Sequence, residues 1–174
     1  MNNLRRISSL ILAGAIPAVV SMTAAVPAHA DGGFVTLTNF GSGKCAGVNP
    51  QDNYFANGAR VQQQTCNGQP EQNWLRIGVG DGYYKLVNQR SGQCMDVRNG
   101  QDANRVQVQQ WSCTNTRGMK WRITRQGVNG SDRVTSQIGG RCLDVDGGSL
   151  ADGAKIQIYA CTSAGNTAQS WIFN

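Results

Sequence analysis

One string occurs three times in this chain, and it limits the fold more than any other feature. In its most complete copy it reads Gly140-Arg-Cys-Leu-Asp-Val145, then a polar Gly-rich loop, then Ile156-Gln-Ile-Tyr-Ala-Cys161, then Ala168-Gln-Ser-Trp171. The first copy has Cys45, Val48, Val61-Gln-Gln-Gln-Thr-Cys66 and Gln72-Asn-Trp74; the second has Cys94-Met-Asp-Val97, Val108-Gln-Gln-Trp-Ser-Cys113 and Met119-Lys-Trp121. Landmarks recur every 47 to 50 residues: Cys45, Cys94 and Cys142, then Trp74, Trp121 and Trp171. Self-similarity at that period means one supersecondary unit repeated around a shared core. The units span roughly residues 34–77, 82–124 and 132–174 of a single domain.

Residues 1–30 stand outside the repeats. A basic start (Arg5, Arg6), an apolar middle from Leu10 to Val20 and a small-x-small end at Ala28-His29-Ala30 describe a secretory signal peptide. Pro17, Ser21, Thr23 and Pro27 interrupt the apolar run, so it is a poor membrane span. The expectation is a secreted, extracellular protein with no membrane insertion. The Arg5-Arg6 pair leaves the export route open between the general secretory and twin-arginine pathways.

The chain carries 16 Lys and Arg against 10 Asp and Glu, a net charge of +6, of which Arg5 and Arg6 belong to the leader. The remaining excess is spread out, with one concentration at Arg117, Lys120, Arg122 and Arg125. A nucleic-acid reader shows a basic stripe, so no nucleic-acid partner is expected.

All six Cys fall in the repeats, two per copy, separated by 21, 19 and 19 residues. Export and an even count imply disulfides. The repeat selects Cys45–Cys66, Cys94–Cys113 and Cys142–Cys161. A metal site is disfavoured: no C-x-x-C occurs, and the sole histidine, His29, lies in the leader. Asp144-Val-Asp146-Gly147 opens like a calcium loop, but its twelfth position is Lys155 rather than Glu. No cofactor is expected.

The periodicity is all-β. Phe34–Asn39 and Tyr83–Asn88 alternate at period two, with a weaker counterpart at 133–137, and each leads through a Gly turn to the first Cys of its unit. Val61-Gln62, Val108-Gln109 and Ile156-Gln157 mark third strands; Trp74–Ile77, Trp121–Thr124 and Trp171–Phe173 mark fourth strands. Short strands punctuated by Gly, Asn and Asp suggest a closed all-β architecture. Three units are too few blades for a propeller and fit a three-fold closed structure.

Cys-Leu-Asp-Val, Ile-Gln-Ile-Tyr-x-Cys and Gln-x-Trp in triplicate resemble the β-trefoil lectin domain of the ricin B chain, in particular bacterial family 13 carbohydrate-binding modules, over residues 34–174. The resemblance implies twelve strands, as a six-stranded barrel capped by three hairpins, and up to three shallow sugar sites, one per repeat. It implies that Trp74, Trp121 and Trp171 are buried near the pseudo-three-fold axis. In the third repeat it gives Asp144 the grip on sugar hydroxyls, Tyr159 the stacking face and Gln169 the role of orienting Asp144, with Gln157 contacting sugar or supporting the loop. The family's usual Asn before that last Gln is Ala168 here, and Asn166 in the longer loop after Cys161 is a substitute. The second repeat keeps Asp96, Gln109 and Trp111 but has Gly118 and Met119 in place of the amides, so a weaker site is expected. The first has Gly47 for the carboxylate and Gln64 for the ring, and reads as structural.

Without histidine after residue 30, Ser–His, Cys–His and His–metal catalysis are excluded. Glycosidase chemistry needs two carboxylates flanking one bond, and the only close pair is Asp144 and Asp146. The reading is therefore a secreted carbohydrate-binding lectin module without turnover, acting mainly through the third and second repeats. The alternative is a structural or protein-binding trefoil with decayed sugar sites. The glycan and the oligomeric state are not legible in the sequence.

Overall fold

The computed structural model of the protein describes residues 32–163 and 165–174; the expected signal peptide lies outside these residues. Twelve strands follow one another as three sets of four. The first set is β1 (Val35–Asn39), β2 (Cys45–Val48), β3 (Val61–Gln64) and β4 (Asn73–Gly78). The second is β5 (Tyr83–Asn88), β6 (Cys94–Val97), β7 (Val106–Trp111) and β8 (Trp121–Thr124). The third is β9 (Arg133–Ser136), β10 (Cys142–Val145), β11 (Ile156–Tyr159) and β12 (Trp171–Phe173).

The first and fourth strands of each set form a six-stranded antiparallel barrel through the pairings β1–β4, β4–β5, β5–β8, β8–β9 and β12–β1. Reciprocal backbone bonds between Asp132 and Trp171, 2.7 and 2.8 Å, close the ring. Closure removes the free edges that make open sheets a liability. The second and third strands form three hairpins, β2–β3, β6–β7 and β10–β11, which cap one end. Gln107 pins the cap: its amide donates to Val61 O in the first hairpin and Ile156 O in the third, at 2.9 and 3.0 Å. This is the β-trefoil the sequence implies.

Equivalent residues from the three sets make the core. Leu37, Leu86 and Val134 come from the barrel; Val48, Val97 and Val145, with Val61, Val108 and Ile156, come from the hairpins, and all are at most 1% exposed. Trp74, Trp121 and Trp171 are fully buried, and each indole donates to the carbonyl of the residue after the first Cys of its repeat: Ala46, Met95 and Leu143, at 2.9, 3.0 and 3.0 Å. A buried indole needs such a partner, so the repeated tryptophan is a packing element that also ties the fourth strand to the second. The three disulfides join Cys45–Cys66, Cys94–Cys113 and Cys142–Cys161, one per repeat.

The segment before each Trp is more than the start of a strand. Residues 70–72, 117–119 and 167–169 each form a single 3-10 turn. Asn39 grips the third of these, donating to Thr167 O, Ala168 O and Ser170 O at 3.1–3.2 Å, and Asn88 grips the first through Glu71 O at 2.9 Å. The corresponding residue in the third set is Ser136, whose shorter hydroxyl accepts from its own turn at Ile138 N and makes no bond to 117–119. The second-repeat turn therefore lacks a brace the other two have.

Candidate functional site

Each hairpin carries two facing pairs that point to one side, because residues opposed in an antiparallel ladder share a face. Gly47 faces Gln62, Asp96 faces Gln109, and Asp144 faces Gln157. Two ladder positions on, and so on the same face, Cys45 faces Gln64, Cys94 faces Trp111, and Cys142 faces Tyr159. The 3-10 turn then brings Gln72, Met119 or Gln169 under the first pair. A pocket opens over each repeat, of about 600, 910 and 370 Å³ in sequence order.

In the third repeat the fold brings together Asp144, Gln157, Tyr159, Asn166 and Ala168 around one pocket. Asp144 is 6% exposed, and both its oxygens are held: Oδ1 accepts from Gln157 Nε2 at 2.9 Å and Oδ2 from Gln169 Nε2 at 3.1 Å. Gln169 is itself fixed, donating to Ala160 O at 3.0 Å and accepting from Thr162 N at 3.0 Å. The carboxylate is thus aimed by two amides, one of which, Gln169, is oriented by backbone. Burial raises the pKa of Asp144 above the usual carboxylate value; the Gln157 and Gln169 hydrogen bonds oppose that, and the nearby Asp146 charge adds to it. Gln157 Nε2 also reaches Asp146 Oδ1 at 3.1 Å, which leaves the buried Gln157 Oε1 without a partner. Asn166 lines the pocket, but its Oδ1 caps Ala168 N at 2.9 Å and its Nδ2 donates to Thr162 Oγ1 at 2.9 Å. It shapes the rim of its own loop as well as facing the pocket.

The second repeat assembles Asp96, Gln109 and Trp111 in the widest of the three pockets. Gln109 Nε2 donates to Asp96 Oδ2 at 3.0 Å, while Gln109 Oε1 accepts from Arg98 Nε at 3.1 Å. Burial again raises the Asp96 pKa, opposed by the hydrogen bond from Gln109. Met119 lies where Gln169 lies in the third repeat, and its sulfur accepts from Thr114 N at 3.2 Å. It thus reproduces the Gln169 contact to the loop amide, but it has no donor for the carboxylate. Asp96 is held by one side-chain amide, Asp144 by two. Trp111 presents a large ring, 42% exposed. Gly118 keeps Asp96 open, because a Cβ there would sit 2.7 Å from Oδ1.

In the first repeat Gln62 donates to Asn49 Oδ1 at 3.1 Å, and nothing acidic stands opposite it. The missing carboxylate has no room to return: a Cβ on Gly47 would meet Gln72 Cγ at 2.9 Å and Glu71 O at 3.3 Å. Gly47→Asp should therefore destabilise the fold by about 1–3 kcal/mol through overpacking and create no ligand site. Thermal melting and ligand titration of that variant check both halves.

Two features of these sites were not legible in the sequence. Asn49, Arg98 and Asp146 are equivalent, each touching the hairpin Gln of its own repeat. Arg105 of the second repeat lines the third-repeat pocket. Aligning the residue after each Val of Cys-x-x-Val would have exposed the first difference.

A family model described as ricin-type beta-trefoil lectin domain-like matches residues 25–111, 75–159 and 120–174. The chain belongs to this family. It is also similar to the designed three-fold symmetric protein ThreeFoil, at 31% identity and a TM-score of 0.75 over 80% of this chain and 96% of that one. The same identity and TM-score relate it to 1,3Gal43A, an exo-beta-1,3-galactanase from Clostridium thermocellum, over 82% of this chain but 30% of that chain. The Rhizoctonia solani agglutinin shares the fold at 20% identity, with a TM-score of 0.69 over 86% of this chain and 96% of the agglutinin. No curated protein sequence matches this trefoil.

Proposed function

We propose that the protein is a secreted lectin module that binds a glycan without altering it, through the third repeat first and the second repeat less strongly. The observation that carries this is the Asp144 carboxylate, buried yet aimed by Gln157 and Gln169 into a pocket that also holds Tyr159. A pyranose offers adjacent hydroxyls that one carboxylate can take in pairs, and an apolar C–H face that a ring can cover. Family membership and similarity to an agglutinin and to part of a galactanase support carbohydrate as the ligand class. Three disulfides support an extracellular setting.

The second site has the larger ring but a carboxylate held by one side-chain amide and a turn without an asparagine brace, and so orients its acceptor less well. The first has neither carboxylate nor ring. Its role is structural.

A single shallow site with the Asp144 and Asp146 carboxylates, one ring and few amides suggests ~mM affinity, or about −4 kcal/mol. Two sites engaging one polymer make the second event intramolecular. Asp96→Ala should therefore spare monosaccharide binding while lowering retention on an immobilised polysaccharide.

Binding should be lost on acidification at a pH above that of an ordinary aspartate, because the acceptor is the ionised Asp144 and its pKa is raised. The sign is opposite for folding. A carboxyl that binds its proton more tightly when folded contributes stability below the unfolded pKa and loses it as pH rises through the folded value. The Asp144 contribution to stability thus grows over the same interval in which ligand binding falls. Calorimetric titration and melting across that interval separate the two.

A glycan-array screen of the protein lacking residues 1–30 tests the proposal, followed by incubation of pure protein with the glycan that binds. Binding without reducing-end release is expected. Release that disappears in Asp144→Ala would make it a glycosidase.

A further inference from the structure

The three hairpin loops end alike. Asn57, Asn104 and Asp152 each accept, through Oδ1, from a backbone N–H of the next repeat in the ring: Ser112, Ala160 and Thr65, at 2.7, 2.8 and 2.6 Å. The following residues, Gly58, Arg105 and Gly153, each donate their own N–H to that neighbour, to Gln110 O, Ile158 O and Gln63 O, all at 2.9 Å. All three have positive φ: 87°, 68° and 81°. Two are glycines, for which that conformation is nearly free. The third is an arginine. Among the described residues, the other non-glycine residues with positive φ are Asp81, Asn99 and Asn129, whose side chains tolerate the left-handed region. Arg105 is the exception, and the neighbouring repeat over-determines it. Its N–H is held by Ile158, and its carbonyl accepts from the Lys155 ammonium. Strain kept in place this way commonly marks a functional position.

Where the side chain goes is shown by the equivalent glycine. A Cβ on Gly58 would lie 3.8 Å from both Gln109 Oε1 and Trp111 Cζ3, the hairpin amide and the ring of the second site. Arg105 occupies that place over the third site and lines the pocket with Gln157 and Tyr159. Asp144 and Asp146 line the same pocket, and Gln157 holds both. Among the described residues the Arg105 guanidinium makes neither an ion pair nor a hydrogen bond.

We infer that Arg105, donated by the second repeat, is a specificity-determining residue of the third-repeat site and selects a sugar ring that carries an anionic substituent. A uronate carboxylate and a sulfate ester both offer the oxygen pair that a planar guanidinium takes bidentately. This assignment rests on the third repeat being a glycan site. It adds a division of labour: Asp144 takes hydroxyls, Tyr159 the ring face, and Arg105 the charge.

The test uses matched pairs of glycans differing only in the acid: galactose against galacturonic acid, glucose against glucuronic acid, and galactose against galactose 6-sulfate. Affinities are measured for wild type, Arg105→Gly, Arg105→Lys, Asp144→Ala and Arg125→Ala. Arg125 is an exposed arginine whose removal controls for net charge. Wild type should prefer the acidic member of at least one pair by about tenfold, the worth of one charge-assisted contact. The pairs show whether carboxylate or sulfate is the group selected. Arg105→Gly should bring the ratio to near one, Arg105→Lys should keep part of it, and Arg125→Ala all of it. Arg105→Gly should also melt roughly 2–4 °C higher, because glycine relieves the positive φ. A merely structural arginine would not combine higher stability with lost discrimination. Asp144-dependent binding with no acid preference, or a preference that survives Arg105→Gly or falls equally in Arg125→Ala, overturns this inference and leaves the site intact. Binding that does not depend on Asp144 overturns the site reading and this inference with it.

Discussion

Asp144→Ala is expected to remove detectable monosaccharide binding while leaving the fold intact. The substitution deletes the carboxylate that Gln157 and Gln169 together aim into the third site, and loss of a charged hydrogen-bond partner costs about 1.5–3 kcal/mol. From a starting affinity near ~mM, that moves the dissociation constant by about one to two orders of magnitude, beyond practical titration. The fold should tolerate it, because the buried carboxylate is itself desolvated at neutral pH. Gln157 keeps Asp146 as an acceptor, and Gln169 keeps Ala160 O. Circular dichroism and calorimetric titration on the same sample check the two halves.

Reduction of the three disulfides should unfold the protein or bring it to the edge of unfolding. The bridged segments span 21, 19 and 19 residues and do not overlap. In the chain-entropy model a loop of this size stabilises by about 3 kcal/mol. Independent loops add nearly linearly, which gives about 9 kcal/mol for three, against a total of about 5–15 kcal/mol for a typical domain. Melting with and without a strong reductant measures the loss. Thiol titration of the denatured, unreduced protein should read near zero. A loss confined to about 1 kcal/mol would show that the barrel and its three tryptophans hold the fold without the bridges.

The triple repeat made the fold legible, because it repeated the residues that packing demands: the second-strand valines, the fourth-strand tryptophans and the cysteine pairs. Strand positions followed from period-two alternation, and even the weak stretch at Arg133–Ser136 proved to be a barrel strand. The 3-10 turns before each Trp were not legible, since three residues carry no periodicity and the three turns, Pro70–Gln72, Arg117–Met119 and Thr167–Gln169, share no turn signature. The site was legible where a residue acts on its own hairpin partner, as Asp144 does with Gln157. It was not legible where contacts cross between repeats. Nothing local to Asn104-Arg105 points to Tyr159, and only alignment with Asn57-Gly58 and Asp152-Gly153 shows the arginine to be out of place. Met119 was read as a lost donor to Asp96. The structure adds that its sulfur still holds the Thr114 amide, which accounts for how the second repeat keeps its loop without the glutamine.

The most direct test of the central claim is a site-resolved NMR titration of the wild-type protein with the glycan identified by array. The largest shifts are expected at the side-chain amides of Gln157 and Gln169 and at the backbone of residues 144–148, with smaller shifts at Gln109 and Trp111 appearing at higher ligand concentration. Shifts concentrated at Gln62, Gln64 and Asn49, with the third repeat unmoved, would contradict it.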